Sequence, residues 1–167
     1  VAFDQIATPF GKSDRIVGGA ASYISLAASY LTKKDVNLVS VIGDDFPTSF
    51  LDQLKSRGIE QEGLQIKEGE KSFFWSGEYH YDMNSRDTLD TQLNVLADFQ
   101  LSVIDQLVER PKLIVLDTMN FWMDIAMYKL KEVISKIDVL TINDEEARQL
   151  SGEYSLVKAA KEIIKMG

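Results

Sequence analysis

The chain of 167 residues is the size of one domain on the usual scale of roughly 100–200 residues. Eighteen Lys and Arg against 26 Asp and Glu give a net charge of −8, which disfavours sequence-independent nucleic-acid binding, and 45% hydrophobic residues argue against wholesale disorder. With no cysteine and one histidine, His80, disulfide frameworks, thiolate catalysis, Cys-ligated zinc and histidine-rich metal sites are excluded as well.

Val1 to Asp4 is a short apolar piece closed by an acid, without the basic start of a signal peptide, and reads as the tail of a strand whose beginning is missing. Gly18-Gly19 leads into Ala20 to Leu31, a helix rich in Ala and Leu. Leu38 to Ile42 is a β-branched run closed by Gly43-Asp44-Asp45, the texture of a buried strand. Pro47 to Ser56 reads as a helix, with Asp45 and Pro47 near its start and Gly58 as its stop. Ser72 to Tyr81 is aromatic-rich with partial alternation, as in a half-exposed antiparallel strand, and Arg15-Ile16-Val17 joins it in a small flap beside the main sheet.

Asn94 to Phe99 is strand-like, and Leu101 to Glu109 places Leu101, Ile104, Leu107 and Val108 on one helical face before Pro111. Lys112 to Leu116, closed by Asp117, and Ile137 to Ile142, closed by Asn143, repeat the buried-strand texture, with a helix over Asp124 to Ser135 between them. Ser155 caps a last helix, Leu156 to Met166, which Gly167 stops. Strand–helix alternation of this kind implies parallel strands with helices on the sheet faces, an α/β fold. No apolar run reaches the 18 or more residues of a membrane span, and the cysteine-free composition points to the cytoplasm. One junction is too short. Gln100 alone separates two elements, where connections usually take about 4–6 residues, so residues are expected to be missing there, as before Val1 and after Gly167.

Several residues carry two readings each. Gly18-Gly19 lets a ligand approach the backbone at a helix start, or serves close helix–sheet packing together with Ala20 and Ala21. Asn143-Asp144-Glu145-Glu146 is a helix cap with Glu146 at the third position, or a carboxylate site at a sheet edge that holds Mg2+ through water. Asp4 closes its strand either as a surface turn residue or as an acceptor for vicinal sugar hydroxyls, and Asp117 and Asn120 share that ambiguity. Trp75, Tyr79 and Tyr81 cover a ligand or pack on a neighbouring strand, and His80 reads as a surface histidine. The glycines match neither Gly-x-Gly-x-x-Gly nor a Walker loop, which argues against a Rossmann-type oxidoreductase.

In order, Asp4, Gly18-Gly19, Val39-Ser40-Val41-Ile42-Gly43-Asp44-Asp45, Leu54-Lys55-Ser56-Arg57-Gly58-Ile59 and Asn143-Asp144-Glu145-Glu146-Ala147 resemble the ribokinase-like (PfkB-type) carbohydrate kinases. The resemblance covers essentially the whole chain, but only the first half to two thirds of a usual family member. It implies a three-layer α/β/α sandwich, mostly parallel, over an incomplete domain of residues 1–167 with lid strands near 13–17 and 71–82. It implies transfer of the γ-phosphoryl of ATP, with Mg2+, to a hydroxyl of a small-molecule sugar, nucleoside or related alcohol. By resemblance, Asp4 binds that substrate, Gly18 and Gly19 let it sit against the helix that follows, the flap including Trp75 to Tyr81, Tyr79 among them, is the lid over it, and Tyr23 stands where many relatives carry a substrate-binding Asn. Asn143 and Glu146 match the Asn-x-x-Glu element that organises Mg2+ and phosphates. In many relatives the lid also forms a homodimer contact. The second family signature, Gly-Ala-Gly-Asp, does not occur, so the catalytic base is expected beyond Gly167. A non-catalytic ligand-binding pseudokinase of the same fold is the alternative.

Overall fold

The computed structural model describes residues 1–97, 109, 110 and 112–167. The helix expected over 101–108, the end of the strand-like stretch and the 100–101 junction lie outside the described residues. The chain divides into two units between residues 99 and 100.

The first unit is organised around β1 (Ala2–Thr8). The short strands β2 (Gly11–Lys12) and β3 (Ile16–Gly18) pair antiparallel with it, while β6 (Phe74–Tyr79) pairs parallel and β7 (Arg86–Gln92) pairs antiparallel with β6. Between β3 and β6 in the chain, α1 (Ala20–Leu31) leads into a parallel pair, β4 (Val36–Gly43) and β5 (Ile59–Lys67), joined through α2 (Thr48–Ser56). Leu54 of α2, 0% exposed, closes the crossover against Leu38 and Ile59, and Phe3, Ile42 and Phe46 continue the apolar interior. The expected bounds of α1 hold at both ends, and Gly58 follows α2 in the left-handed region, where a helix ends most readily in glycine. Pro47 precedes the first helical residue instead of opening the helix.

α1 buries serines. Ser22 and Ser25 face inward, and their hydroxyls donate to the carbonyls of Gly18 (2.8 Å) and Ser22 (3.1 Å), so each of the two hydroxyls has a partner. Small inward residues let the helix sit close to the β4–β5 pair, with Ala21 and Leu26 packed on Leu38 and Leu54.

The aromatic stretch shares one sheet with Ile16–Gly18, apart from the parallel β4–β5 pair, and differs from the expectation only in its direct partners. β6 lies inside the five-stranded sheet, with Asp4 opposite Trp75, and Ile16–Gly18 pairs with β1, not with β6. At the strand's entry Ser72 and Phe73 are buried, and Phe74 packs against Phe3, Ile42 and Phe46 in the interior. Asn94–Leu96, read as strand-like, is a 3-10 turn whose Val95 is fully buried and donates its N–H to the carbonyl of Lys71.

The second unit contains a β–α–β crossover. β8 (Val115–Asp117) and β9 (Val139–Thr141) pair parallel and are joined through α3 (Asn120–Ile134). Both strands are shorter than the runs that suggested them, and Val115 and Val139 are exposed instead of buried. α3 starts four residues before the expected Asp124 and contains a non-helical residue, Ala126, which divides its periodicity and blurred the pattern. α4 (Asp144–Ser151) and α5 (Leu156–Ile163) follow, with Met123, Leu130, Ile134 and Leu150 as the core. Ser155 precedes α5 without a side-chain cap, and the helix ends in a 3-10 turn, Ile164–Met166. Among the described residues, no helix is long and apolar enough to cross a membrane.

Candidate functional site

Asp4 sits in the middle of β1 and meets Gly18 across the β1–β3 corner. A Cβ at Gly18 would overlap the Asp4 carboxylate, so the absence of a side chain there makes room for the acid. Gly19 is held at φ +84 and a Cβ on it would press on Ala2, so glycine is required for both conformation and space. Burial pushes the Asp4 carboxyl up from its usual value, while a hydrogen bond from the Gly19 N–H pulls the other way. The two alternatives for the glycine pair are therefore not exclusive. Gly18 packs directly against the candidate ligand-binding acid, while Gly19 packs against Ala2 and reaches the acid through its N–H.

Register fixes the other side chains on that face. Trp75 is opposite Asp4, and Gly77 is opposite Ile6 and Thr88. The six-membered ring of the Trp75 indole lies over Gly77, where a Cβ would overlap it, and its Nε1–H donates to Thr88 Oγ1 at 3.2 Å. Tyr79 stands four residues along β6 from Trp75, about 13 Å at a strand rise of about 3.3 Å per residue, at the far end from Asp4. Tyr23, one turn into α1, is 58% exposed. Trp75 is thus the aromatic that register brings to the acid, and only strand pairing could have singled it out from its neighbours.

The Gly43-Asp44-Asp45 motif acts at a distance in sequence. Asp44 Oδ2 accepts from the Gly69 N–H and Asp45 Oδ1 from the Ser72 N–H, both at 2.8 Å, while the Gly43 N–H donates to Ser72 Oγ at 2.9 Å. Arg15 donates to Asp45 Oδ2 at 2.6 Å, with its guanidinium 3.8 Å from the centroid of the Phe3 ring. Burial acts to raise the Asp45 carboxyl, but hydrogen bonds from Ser72 and Arg15 outweigh it and hold it below the usual value. The motif therefore clasps the segment that feeds β6. Arg15 and Ser72 complete the clasp, and neither stood out in the sequence.

At the exposed end of the sheet, His80 Nε2 pairs with Asp87 Oδ2 at 2.8 Å, as a surface histidine. This hydrogen bond raises the imidazole pKa above 6.5. The raised value stabilises the fold below the ordinary histidine pKa, and the contribution disappears as pH rises through the higher folded value. Because His80 is the sole histidine, a proton NMR titration reads it directly; it should titrate above 6.5 and move down toward the ordinary value in Asp87→Asn.

In the second unit the Asn143 side chain accepts from the Glu146 N–H at 2.9 Å, and Glu146 Oε2 accepts from the Asn143 N–H at 3.3 Å. This is the capping box expected from the sequence, and Glu146 is 4% exposed within it. Asn143→Ala should lower stability by about 1 kcal/mol, whereas Glu146→Gln, which can still reach back to the cap, should change the melting temperature little. Asp117 Oδ1 accepts from Thr141 Oγ1 at 3.2 Å, and Asn120 donates to Gln149 Oε1 at 2.8 Å, so both strand-end residues are engaged within the unit. A cavity of about 430 Å³ borders the capping box, lined by Leu140, Ile142, Ala147, Leu156 and Ile163 with Asn143 and Asp144.

No family model matches the sequence, and no curated protein matches it. Solved structures do. The Halothermothrix orenii fructokinase superposes with a TM-score of 0.69 at 18% identity, over 99% of this chain and 73% of that one. A Burkholderia thailandensis nucleoside kinase in complex with inosine gives 0.71 at 14% identity, over 96% and 65%. A Methanocaldococcus jannaschii nucleoside kinase, an archaeal member of the ribokinase family, gives 0.63 at 16% identity, over 96% and 64%. The chain thus spans about two thirds of the length of such structures, and its fold is the ribokinase-like α/β fold.

Proposed function

We propose that the protein transfers the γ-phosphoryl group of ATP to a hydroxyl of a sugar, nucleoside or related small alcohol. The observation that carries this reading is the Asp4 corner: a half-buried carboxylate set against a glycine pair at the start of a helix, in a ribokinase-like fold. A carboxylate short of water gains from hydroxyl donors, and two neighbouring hydroxyls of an acceptor can donate to its two oxygens. In the transfer, the acceptor oxygen forms a P–O bond as the bond to ADP breaks, and the hydroxyl proton passes to a base that no residue named here supplies.

Asn143 and Glu146 of the second unit are the residues read as organising Mg2+ and phosphates. Among the described residues no three acids or histidines gather into a metal-binding group, and Glu146 is committed to the capping box. Their chemistry fits a cation held through water, with nucleotide phosphates supplying the direct ligands, as Mg2+ commonly prefers.

Mass spectrometry of products formed from ATP, Mg2+ and a panel of pentoses, hexoses and nucleosides tests the proposal on the whole protein. An acceptor-dependent gain of one phosphoryl group is expected. Acceptor binding without turnover would favour a non-catalytic binding protein, and no binding of any polyol would remove the reading altogether.

A further inference from the structure

Arg15 holds the strand that carries the acid. Its guanidinium lies 3.8 Å from the centroid of the Phe3 ring and 5.9 Å from that of Phe74, and these two rings are partners across the β1–β6 pairing. The same guanidinium donates to Asp45 Oδ2 at 2.6 Å. Asp45 is followed by Phe46, whose ring centroid is 5.1 Å from that of Phe3. The turn after β4 therefore grips Phe3 twice, directly through Phe46 and, by way of Arg15, through Asp45.

Phe3 is buried, and Asp4 is the next residue of β1. Successive side chains of a strand point to opposite faces, so fixing the Phe3 ring fixes where the Asp4 carboxylate leaves the other face. Arg15 also adjoins Ile16, the partner of Asp4 in the β1–β3 pairing, on the short strand that ends in Gly18. It thus reaches both strands of the acid's corner. Arg15 is not among the groups that shift the Asp4 carboxyl, so its influence on the acid runs through position and not through charge.

Stability alone does not account for this arrangement. An ion pair whose side chains are 43% and 23% exposed adds little to it, and a lysine would serve that pair as well. What arginine adds is a flat cation that rests on an aromatic ring while its edge bonds a carboxylate.

Resting on the acceptor reading above, we infer that Arg15 is a positioning residue for the acceptor site, setting the Asp4 carboxylate in place through Phe3 and Ile16 before the acceptor arrives. Two neighbouring hydroxyls meet both oxygens of the acid only if the carboxylate keeps one orientation. Misplacement by about 1 Å costs on the order of 100-fold in a reacting site, and a smaller shift correspondingly less.

Calorimetry on the whole protein ranks ribose, fructose and adenosine, and the tightest of them is the probe. Arg15→Ala should weaken its binding roughly tenfold while the melting temperature changes little. Arg15→Lys, which keeps a charge for Asp45 but no flat group for Phe3, should recover the melting temperature and only part of the affinity. Asp45→Asn still accepts from the Ser72 N–H and weakens the pair from the other side, so it should lower affinity in the same direction. The decisive comparison is made in Asp4→Asn. There Arg15→Ala should cause no further loss of affinity, because it acts through the acid, while its small effect on melting should persist. Unchanged affinity in Arg15→Ala, or an equal loss with and without the acid, overturns the inference while the acceptor site stands. If Asp4→Asn itself leaves the probe's affinity unchanged, or none of the three compounds binds, the acceptor reading fails and the inference with it.

Discussion

Asp4→Asn should weaken acceptor binding by about ten- to a hundredfold, because a hydrogen bond to a charged group is worth roughly 1.5–3 kcal/mol. The fold should survive, since the amide keeps the shape of the acid and removes a charge that burial disfavours. Calorimetry with a confirmed acceptor, beside a thermal melt, separates the two effects. The pH dependence has a definite sign. Acceptor hydroxyls donate to the ionised carboxylate, so binding should fall as pH drops through the raised Asp4 pKa, and should begin to fall above 3.8, the ordinary value. Gly18→Ala probes the same corner from the other strand. Its methyl overlaps the Asp4 carboxylate, and overpacking of this kind costs about 1–3 kcal/mol. Combining it with Asp4→Ala should return most of that stability without restoring binding, a coupling expected only if the two residues compete for one space. Unchanged acceptor affinity in Asp4→Asn would remove the acid from the site.

The parts of this corner differed in how readable they were. Gly18-Gly19 before a run of Ala and Leu marked the start of α1, and the Asn143 to Glu146 spacing marked the cap of α4, because helix ends are written in neighbouring residues. The meeting of Asp4 with Gly18 spans fourteen positions, and that of Asp4 with Trp75 spans seventy-one; both depend on which strands pair and in what register. A one-residue slip of β6 would have turned Phe74 and Ser76 toward Asp4 in place of Trp75. No local pattern distinguishes those registers, since both faces of Ser72 to Tyr81 carry aromatics. For the same reason the sequence offers Trp75, Tyr79 and Tyr81 together, and only register places Trp75 opposite Asp4. In the second unit the weak pattern of α3 has a visible origin in the non-helical Ala126.

The second large effect lies at Gly43. A Cβ there would overlap the Glu70 carbonyl oxygen, the Lys71 carbonyl carbon and the Ser72 nitrogen, and all three are main-chain atoms that no rotamer change can move. The neighbouring bonds hold that main chain in place from several directions: Ser72 Oγ on the Gly43 N–H, Asp44 on the Gly69 N–H, Asp45 on the Ser72 N–H, and Asn94 donating to the Ser72 carbonyl at 2.9 Å. Gly43→Ala must therefore displace the segment as a whole and strain or break these bonds. Loss should reach the upper end of overpacking costs, roughly 3 kcal/mol, and appear as a lowered denaturation midpoint. Because the displaced segment feeds β6, Trp75 should shift relative to Asp4, so acceptor binding should weaken together with stability. Ser72→Ala provides the graded control. It removes the hydroxyl partner of the Gly43 N–H without inserting any atom, and should cost about 1–3 kcal/mol by leaving that buried donor unpaired. Near-wild-type stability in Gly43→Ala would show that the segment can yield, and that the Gly-Asp-Asp motif does not set the position of β6.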